Sequence, residues 1–212
     1  MANKPLTGLY AITDSSQKRL AHQVKLALEG GARIIQYRDK SCEQGVRLKQ
    51  AQELSSLCRE YSAIFIINDD VELARTVAAD GVHLGQDDQD IVGARTRLGS
   101  RAIIGISCYN QLPLAAAAQD AGADYVAFGR FFPSSSKPHA VQAEINLLTQ
   151  AKQALHIPIV AIGGITPENS EQLIHAGADM LAVIQGLFGQ QDVRATAERF
   201  TKIFAQNKDS SP

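Results

Sequence analysis

No sign of charge dominates this 212-residue chain: 21 Lys and Arg stand against 22 Asp and Glu, for a formal net charge of −1. No basic excess points to nucleic acid, and no single-sign run points to a membrane surface. Near-neutrality still allows a phosphorylated substrate, which a few local cations can serve. Long apolar runs are missing as well. No window reaches the ~18 apolar residues of a membrane span, and the start, MANKPLTGLYAITD, has no apolar signal segment. Cysteine is scarce: Cys42, Cys58 and Cys108 are odd in number and lack CxxC spacing, which disfavours a disulfide framework and a zinc site. A reducing cytoplasm is the expected location. There is no GxGxxG, and no linker or low-complexity break divides the chain.

What is present is alternation. Short apolar runs rich in β-branched residues recur at 9–13, 33–39, 64–69, 81–86, 103–107, 125–130, 159–164 and 180–186, eight in all. Between them lie helical segments such as 43–60 and 111–122. In the first of these, Val46, Leu48, Ala51, Leu54, Leu57 and Cys58 fall on one face. The joints LEGGARII, AADGVHL, DAGADYV and HAGADML place Gly at a helix end before a strand, where a left-handed residue is wanted. Repeated strand–helix units imply parallel strands covered by helices. Eight units in about 200 residues predict a single (β/α)8 barrel spanning 1–212, with its core at about 8–204 and a frayed tail at 206–212. A doubly wound open sheet is the runner-up.

In such barrels the C-terminal strand ends form the active face. The runs IFIIND and VHLGQDD each finish in carboxylates, on adjacent strands. A hard divalent ion such as Mg²⁺ takes one or two protein carboxylates and completes its shell with water and phosphate oxygens. Asp69 and Asp88 are the expected ligands, with Asp70 a helix N-cap and Asp87 solvated. QYRDK sets Gln36, Arg38 and Lys40 on one side of an extended segment, with Tyr37 and Asp39 on the other, a pattern suited to clamping a pyrophosphate. Strand 3 adds Asn68 and strand 5 adds Ser107. The long loop after strand 6 carries Ser134, Ser135, Ser136 and Lys137.

AIGGITPEN puts Gly163 and Gly164 where backbone can approach a ligand, followed by Thr166 as N-cap and Pro167 as first helical residue. Loops after strands 7 and 8 are the usual phosphate site of this barrel, and residues 186–189 are the expected short helix there. His83, mid-strand, reads as a satisfied interior histidine, and His139 sits at the edge of the strand-6 loop. No Ser/His/Asp spacing and no placed cysteine suggest a covalent nucleophile. The inventory is one of electrostatics.

Taken in order, QYRDK, NDD, GVHLGQDD, GIS, DYVAFGRFFPSSSKP, VAIGGIT and VIQG resemble the thiamine-phosphate synthase family over about residues 8–204. The resemblance implies one barrel that joins hydroxymethylpyrimidine pyrophosphate to a thiazole phosphate, two small-molecule substrates, with no nucleic acid or membrane partner. It implies that Gln36 to Lys40 and Asn68 bind the pyrimidine pyrophosphate, that Asp69 and Asp88 hold Mg²⁺, and that Ser107 contacts the pyrimidine. Ser134 to Ser136 and Gly164 would bind the thiazole phosphate, with Ile184 and Gln185 beside it, while Lys137 binds pyrophosphate. Catalysis would fall to Arg38, Lys40, Lys137 and Ser107 in a dissociative reaction. Two departures stand out: Ser134 and Ser136 replace the family's common threonines, and Gln185-Gly186 replaces its usual Ser-Ala. Open alternatives are a thiazole tautomerase-like paralogue, a sugar-phosphate epimerase or isomerase on the same barrel, and a non-catalytic thiazole-phosphate binder. The sequence also leaves a homo-oligomer open.

Overall fold

Successive side chains of a strand point to opposite faces. Each apolar run of this chain therefore feeds two cores at once. In the computed structural model, which describes residues 5–14, 19–39, 43–85, 90–133 and 141–208, the strands are β1 (Gly8–Ile12), β2 (Ile34–Tyr37), β3 (Ile64–Asn68), β4 (Gly81–Leu84), β5 (Ile103–Tyr109), β6 (Tyr125–Phe128), β7 (Ile159–Ile162) and β8 (Met180–Val183). They pair in chain order, all parallel, and β8 closes on β1 through Leu9–Leu181 and Tyr10–Ala182. The helices are α1 (Leu20–Glu29), α2 (Gln44–Glu60), α3 (Val71–Thr76), α4 (Ile91–Leu98), α5 (Leu112–Asp120), α6 (Asn146–Ala154), α7 (Pro167–His175), α8 (Gln185–Phe188) and α9 (Val193–Lys208). The fold is the (β/α)8 barrel that the alternation predicts.

Tyr10, Ile12, Ile34, Ile64, Ile66, Tyr125, Ala127, Val160, Met180 and Ala182 fill the barrel interior. Their strand neighbours Leu9, Ala11, Ile35, Phe65, Val82, Ile104, Val126, Ala161 and Leu181 pack outward under the helices. One interior position depends on a glycine. Gly105 pairs with Tyr125, and a Cβ at Gly105 would run into the Tyr125 ring. The missing side chain lets a tyrosine cross the barrel floor.

The N-terminal end of the barrel is fastened by a repeated device. Asp80, Asp124 and Asp179 each stand just before an even-numbered strand or at its approach. Each accepts a hydrogen bond from the backbone of the preceding strand: Phe65 N at 2.8 Å, Ile104 N at 2.7 Å and Ile159 N at 2.9 Å. Asp124 also takes Arg95 Nη2 at 2.8 Å, and Asp179 takes Lys152 Nζ at 2.6 Å.

Three expectations need correction. Gly31, Gly122 and Gly177 do take positive φ at their joints, but in AADGVHL the left-handed residue is Ala78, with φ 50°. Gly81 there belongs to β4, where a Cβ would strike the Ile103 carbonyl. Val46 is 45% exposed: it lies in the first turn of α2, ahead of the later turns in which Ala51, Leu54 and Cys58 are buried. Finally α9 continues to Lys208, so residues 206–208 are helical; Asn207 Nδ2 donates to Ile203 O at 2.8 Å. Residues 209–212 lie outside the described part. Among the described residues no helix is long and apolar enough to cross a membrane.

Candidate active site

Where the strands end, side chains that pointed into the barrel become the floor of a cavity of about 380 Å³. Gln36, Asn68, His83, Ser107, Ala127, Ile162 and Ile184 all reach it from consecutive strands or their ends. The strand-end rule thus gathers residues far apart in sequence at one mouth. Arg38 joins them because its backbone is held by the residue that follows β1: Arg38 N donates to Thr13 Oγ1 at 3.0 Å, and Thr13 is 1% exposed. Arg130 brings a second guanidinium to the same cavity.

Beneath the floor runs an unbroken line of polar contacts. Gln36 Nε2 donates to Tyr10 Oη at 2.6 Å, and Tyr10 Oη lies 2.7 Å from Tyr125 Oη. Tyr125 Oη lies 3.0 Å from His83 Nδ1, and His83 Nε2 lies 2.9 Å from Ser107 Oγ. The His83 and Tyr125 rings are stacked, with centroids 5.6 Å apart. Burial raises both phenols above their ordinary range, so each keeps its proton. His83 is the satisfied interior histidine expected of it, and its bond to Ser107 also makes it part of the site. Past Ser107 the β5–β6 register shifts, so the end of β5 is re-aimed and Tyr109 also lines the cavity.

The acid side lies at the end of β3. Asp69 has φ 61°, a left-handed conformation that Asp tolerates better than most residues. Its N–H donates to His83 O at 2.9 Å, its Oδ1 accepts from Gly85 N at 3.2 Å, and its Oδ2 accepts from Asn68 Nδ2 at 2.6 Å. The carboxylate is thereby fixed between β3 and the loop after β4. A neighbouring hollow of about 360 Å³, lined by Tyr37, Asp39, Arg47, Asn68, Asp69 and Asp70, shares Asn68 with the main cavity. Asp70 is the N-cap of α3, accepting from Leu73 N, and also pairs with Arg47 at 2.9 Å. Tyr37 points away from the barrel axis: it is 2% exposed and its hydroxyl donates to Gln50 Oε1 at 2.7 Å.

The opposite wall comes from β7 and β8. Gly163 and Gly164 take φ 106° and 63°. Their closest neighbours are the Arg130–Pro133 backbone and Phe132, so the glycines let the loop after β6 lie down on the loop after β7. Asn169 ties that loop to α7, accepting from Thr166 N at 2.9 Å and donating to Gly164 O at 3.0 Å. Thr166 and Pro167 open α7 as expected, and the short helix after β8 is α8, one residue earlier than read from the sequence. Gln185 lines the cavity and its Nε2 donates to Asp14 Oδ2 at 3.0 Å.

Of the residues singled out in the sequence, Gln36, Arg38, Asn68, Ser107, Gly164, Ile184 and Gln185 share the main cavity, while Tyr37, Asp39 and Asp69 line the hollow beside it. Lys40, Asp88, Ser134, Ser135, Ser136, Lys137 and His139 lie outside the described residues. Arg130 and Tyr109 were passed over although each closes a strand segment, the position that should have flagged them. Tyr10 and Tyr125 gave no signal, since a tyrosine inside an apolar run reads as core. Gln190, beyond α8, also lines the cavity and stands in no motif.

A sequence profile described as thiamine monophosphate synthase matches residues 9–187. A thiamine-phosphate synthase of Nitrosococcus oceani is 55% identical over 202 residues, covering 94% of this chain and 93% of its own. One from Alcanivorax borkumensis is 49% identical, covering 97% of each. Among solved structures, a thiamine phosphate pyrophosphorylase from Pyrococcus furiosus superposes with a TM-score of 0.87 at 38% identity, covering 94% of this chain and 96% of that one. With the barrel, the shared cavity and these relatives in agreement, the chain belongs to the thiamine monophosphate synthase family, a family of transferases in thiamine biosynthesis.

Proposed function

We propose that this chain joins hydroxymethylpyrimidine pyrophosphate to a thiazole phosphate, releasing pyrophosphate and thiamine phosphate. The observation that carries the reading is the shared cavity. Gln36, Asn68 and Ser107 line one side of it, and Gly164, Ile184 and Gln185 line the other, so two reactants have a single space in which to meet. Holding both there converts an encounter in solution into a reaction between neighbours.

In the proposed reaction the bond from the pyrimidine methylene to the pyrophosphate oxygen breaks, and its electron pair leaves with pyrophosphate. The electron-rich aminopyrimidine carries the resulting cation. The thiazole nitrogen then supplies the lone pair of the new carbon–nitrogen bond. No enzymic nucleophile is consumed, because the second substrate supplies the attacking lone pair. Arg38, Lys40 and Lys137 neutralise charge as it gathers on the departing group, the kind of preorganised stabilisation that dominates many active sites. Gln36, Asn68 and Ser107 orient the pyrimidine, with Tyr37 and Asp39 shaping the clamp from its outer side. Ser134, Ser135 and Ser136 with Gly164, Ile184 and Gln185 receive the thiazole phosphate.

Asp69 and Asp88 would hold Mg²⁺. Asp69 fits a hard cation: its carboxylate oxygens are held in place on the hollow next to the cavity, while Asp70 there is committed to the start of α3 and to Arg47. When bound, such an ion lowers the cost of negative charge on the leaving pyrophosphate. The reaction uses small soluble substrates, and a cytoplasmic location is part of the proposal.

The test is a pyrophosphate-release assay with the two substrates together and singly, in Mg²⁺ and in chelator. Release that needs all three components, with thiamine phosphate formed in equal amount, is the expected result. Binding of thiazole phosphate with no release under any condition would move the chain to a tautomerase-like or binding role.

A further inference from the structure

We propose that the buried line Gln36–Tyr10–Tyr125–His83–Ser107 has a single direction, which fixes Ser107 as a hydrogen donor and Gln36 Oε1 as an acceptor toward the ligand. Tyr10, Tyr125 and His83 are then positioning residues that make the site select an aminopyrimidine over its oxo counterpart. The selectivity rests on the proposed substrate; the direction of the line does not.

The direction follows from counting hydrogens. Gln36 Nε2 can only donate, and it lies 2.6 Å from Tyr10 Oη. Tyr10 is 1% exposed, and among the described residues the acceptor left for its own hydrogen is Tyr125 Oη at 2.7 Å. Tyr125, 0% exposed, passes its hydrogen to His83 Nδ1 at 3.0 Å. A nitrogen that accepts carries no proton, so the neutral imidazole holds its proton on Nε2 and donates it to Ser107 Oγ at 2.9 Å. Ser107 accepts from beneath and lines the cavity above, so its hydrogen goes to the ligand. The opposite direction, with Gln36 as it stands, would leave the Tyr10 hydrogen facing the Gln36 NH₂ group between two buried side chains, an arrangement that buried polar groups avoid. Only by turning the Gln36 amide over could the line run backwards.

The two ends then present complementary demands. Ser107 offers a hydrogen and Gln36 Oε1 asks for one. An aminopyrimidine supplies both partners, a ring nitrogen that accepts and an exocyclic amine that donates. Its oxo counterpart presents the inverse, a carbonyl and a ring N–H. A site whose polar groups are committed in this way rejects the inverse pattern because both of its own groups are left unpaired.

The first test needs no variant and no substrate. In ¹⁵N-labelled protein, the His83 imidazole should show a protonated Nε2 and an unprotonated Nδ1. A proton on Nδ1 would overturn the direction. The second test is Tyr125→Phe, which keeps the ring that stacks on His83 and removes the hydroxyl. Nδ1 then loses the donor that keeps it unprotonated, so the imidazole population should move away from the Nε2-protonated tautomer. Turnover should then lose selectivity. The preference in kcat/KM for the aminopyrimidine pyrophosphate over the oxo analogue should narrow by roughly tenfold or more, while KM for the thiazole phosphate stays put. An unchanged tautomer or an unchanged preference in Tyr125→Phe would sink the proposal. If the wild-type protein shows the expected tautomer and no coupling activity at all, the proposed reaction fails and the direction of the line survives.

Discussion

Gln185 Nε2 donates to Asp14 Oδ2 across 3.0 Å, tying the turn after β8 to the end of β1, 171 positions earlier in the chain. This contact sits on the wall proposed to receive the thiazole phosphate, where the family usually has a smaller residue. Asp14→Ala removes this acceptor and should raise KM for thiazole phosphate by roughly threefold to tenfold, the scale of one exposed hydrogen bond. KM for the pyrimidine substrate and thermal stability should not move. Steady-state kinetics with each substrate varied in turn provide the check, and an effect on the pyrimidine alone would place Gln185 elsewhere in the chemistry.

Asp69→Asn should keep the fold, because Asn tolerates the left-handed backbone at φ 61° as well as Asp does. Removing the charge should lower kcat by roughly a hundredfold or more and raise the Mg²⁺ concentration needed for half-maximal rate. Alanine would be the poorer probe, since it adds backbone strain at this position. Unaltered turnover and Mg²⁺ response in Asp69→Asn would remove the metal assignment.

Gly105→Ala should destabilise the barrel, because the new methyl meets the Tyr125 ring inside a packed floor. Overpacking of this kind costs about 1–3 kcal/mol, which for a chain of this length lowers Tm by about 2–4 °C per kcal/mol. Urea or thermal unfolding would show it. Wild-type stability would mean that the floor can shift to admit the methyl.

The barrel itself was legible in the sequence because two physical signals coincide. The apolar runs of β1 to β8 are short and bounded, and the joints at Gly31, Gly122 and Gly177 carry the left-handed residue that a helix end favours. The same strand-end rule found Gln36, Asn68, Ser107 and Gln185 at one cavity. What it missed has a common cause. Tyr10 and Tyr125 carry their polar atoms at the tip of a ring that otherwise packs as core, so nothing in LYAIT or YVAFGR distinguishes them from filler. Gly81 misled for the opposite reason: a glycine before an apolar run reads as a cap, whereas here it makes room for the Ile103 carbonyl.

Asp124 is expected to matter for stability and not for chemistry. Its carboxylate accepts from Ile104 N and from Arg95 at the end of the barrel remote from the cavity. Asp124→Ala should cost about 1–3 kcal/mol through the orphaned strand N–H, with kcat unchanged. A lower urea midpoint with normal turnover is the predicted pair of results; a fall in turnover at full stability would contradict it.

Acid should loosen the contact between α7 and α9. The Arg199 hydrogen bond, followed by one from Thr166, lowers the Glu168 carboxyl from 4.5 to about 2. A carboxyl depressed in the folded state lends stability above its unfolded value, and loses it as pH falls through the folded value. The contribution should therefore be full above about pH 4.5 and fade toward pH 2. Both partners are exposed, so solvent screening keeps the effect small. Glu168→Gln should flatten the stability curve across that window and leave neutral stability nearly intact. An unchanged acid limb would show that the ion pair contributes nothing.

The central claim is that both substrates meet in the one cavity at the C-terminal mouth of the barrel. A crystal structure of the protein with thiamine phosphate, pyrophosphate and Mg²⁺ tests it most directly. The account predicts the pyrimidine ring within hydrogen-bond reach of Gln36 and Ser107, the thiazole phosphate beside Gly164 and Gln185, and the metal on Asp69. Product lodged away from these residues, or a pyrimidine ring that touches neither Gln36 nor Ser107, would contradict it.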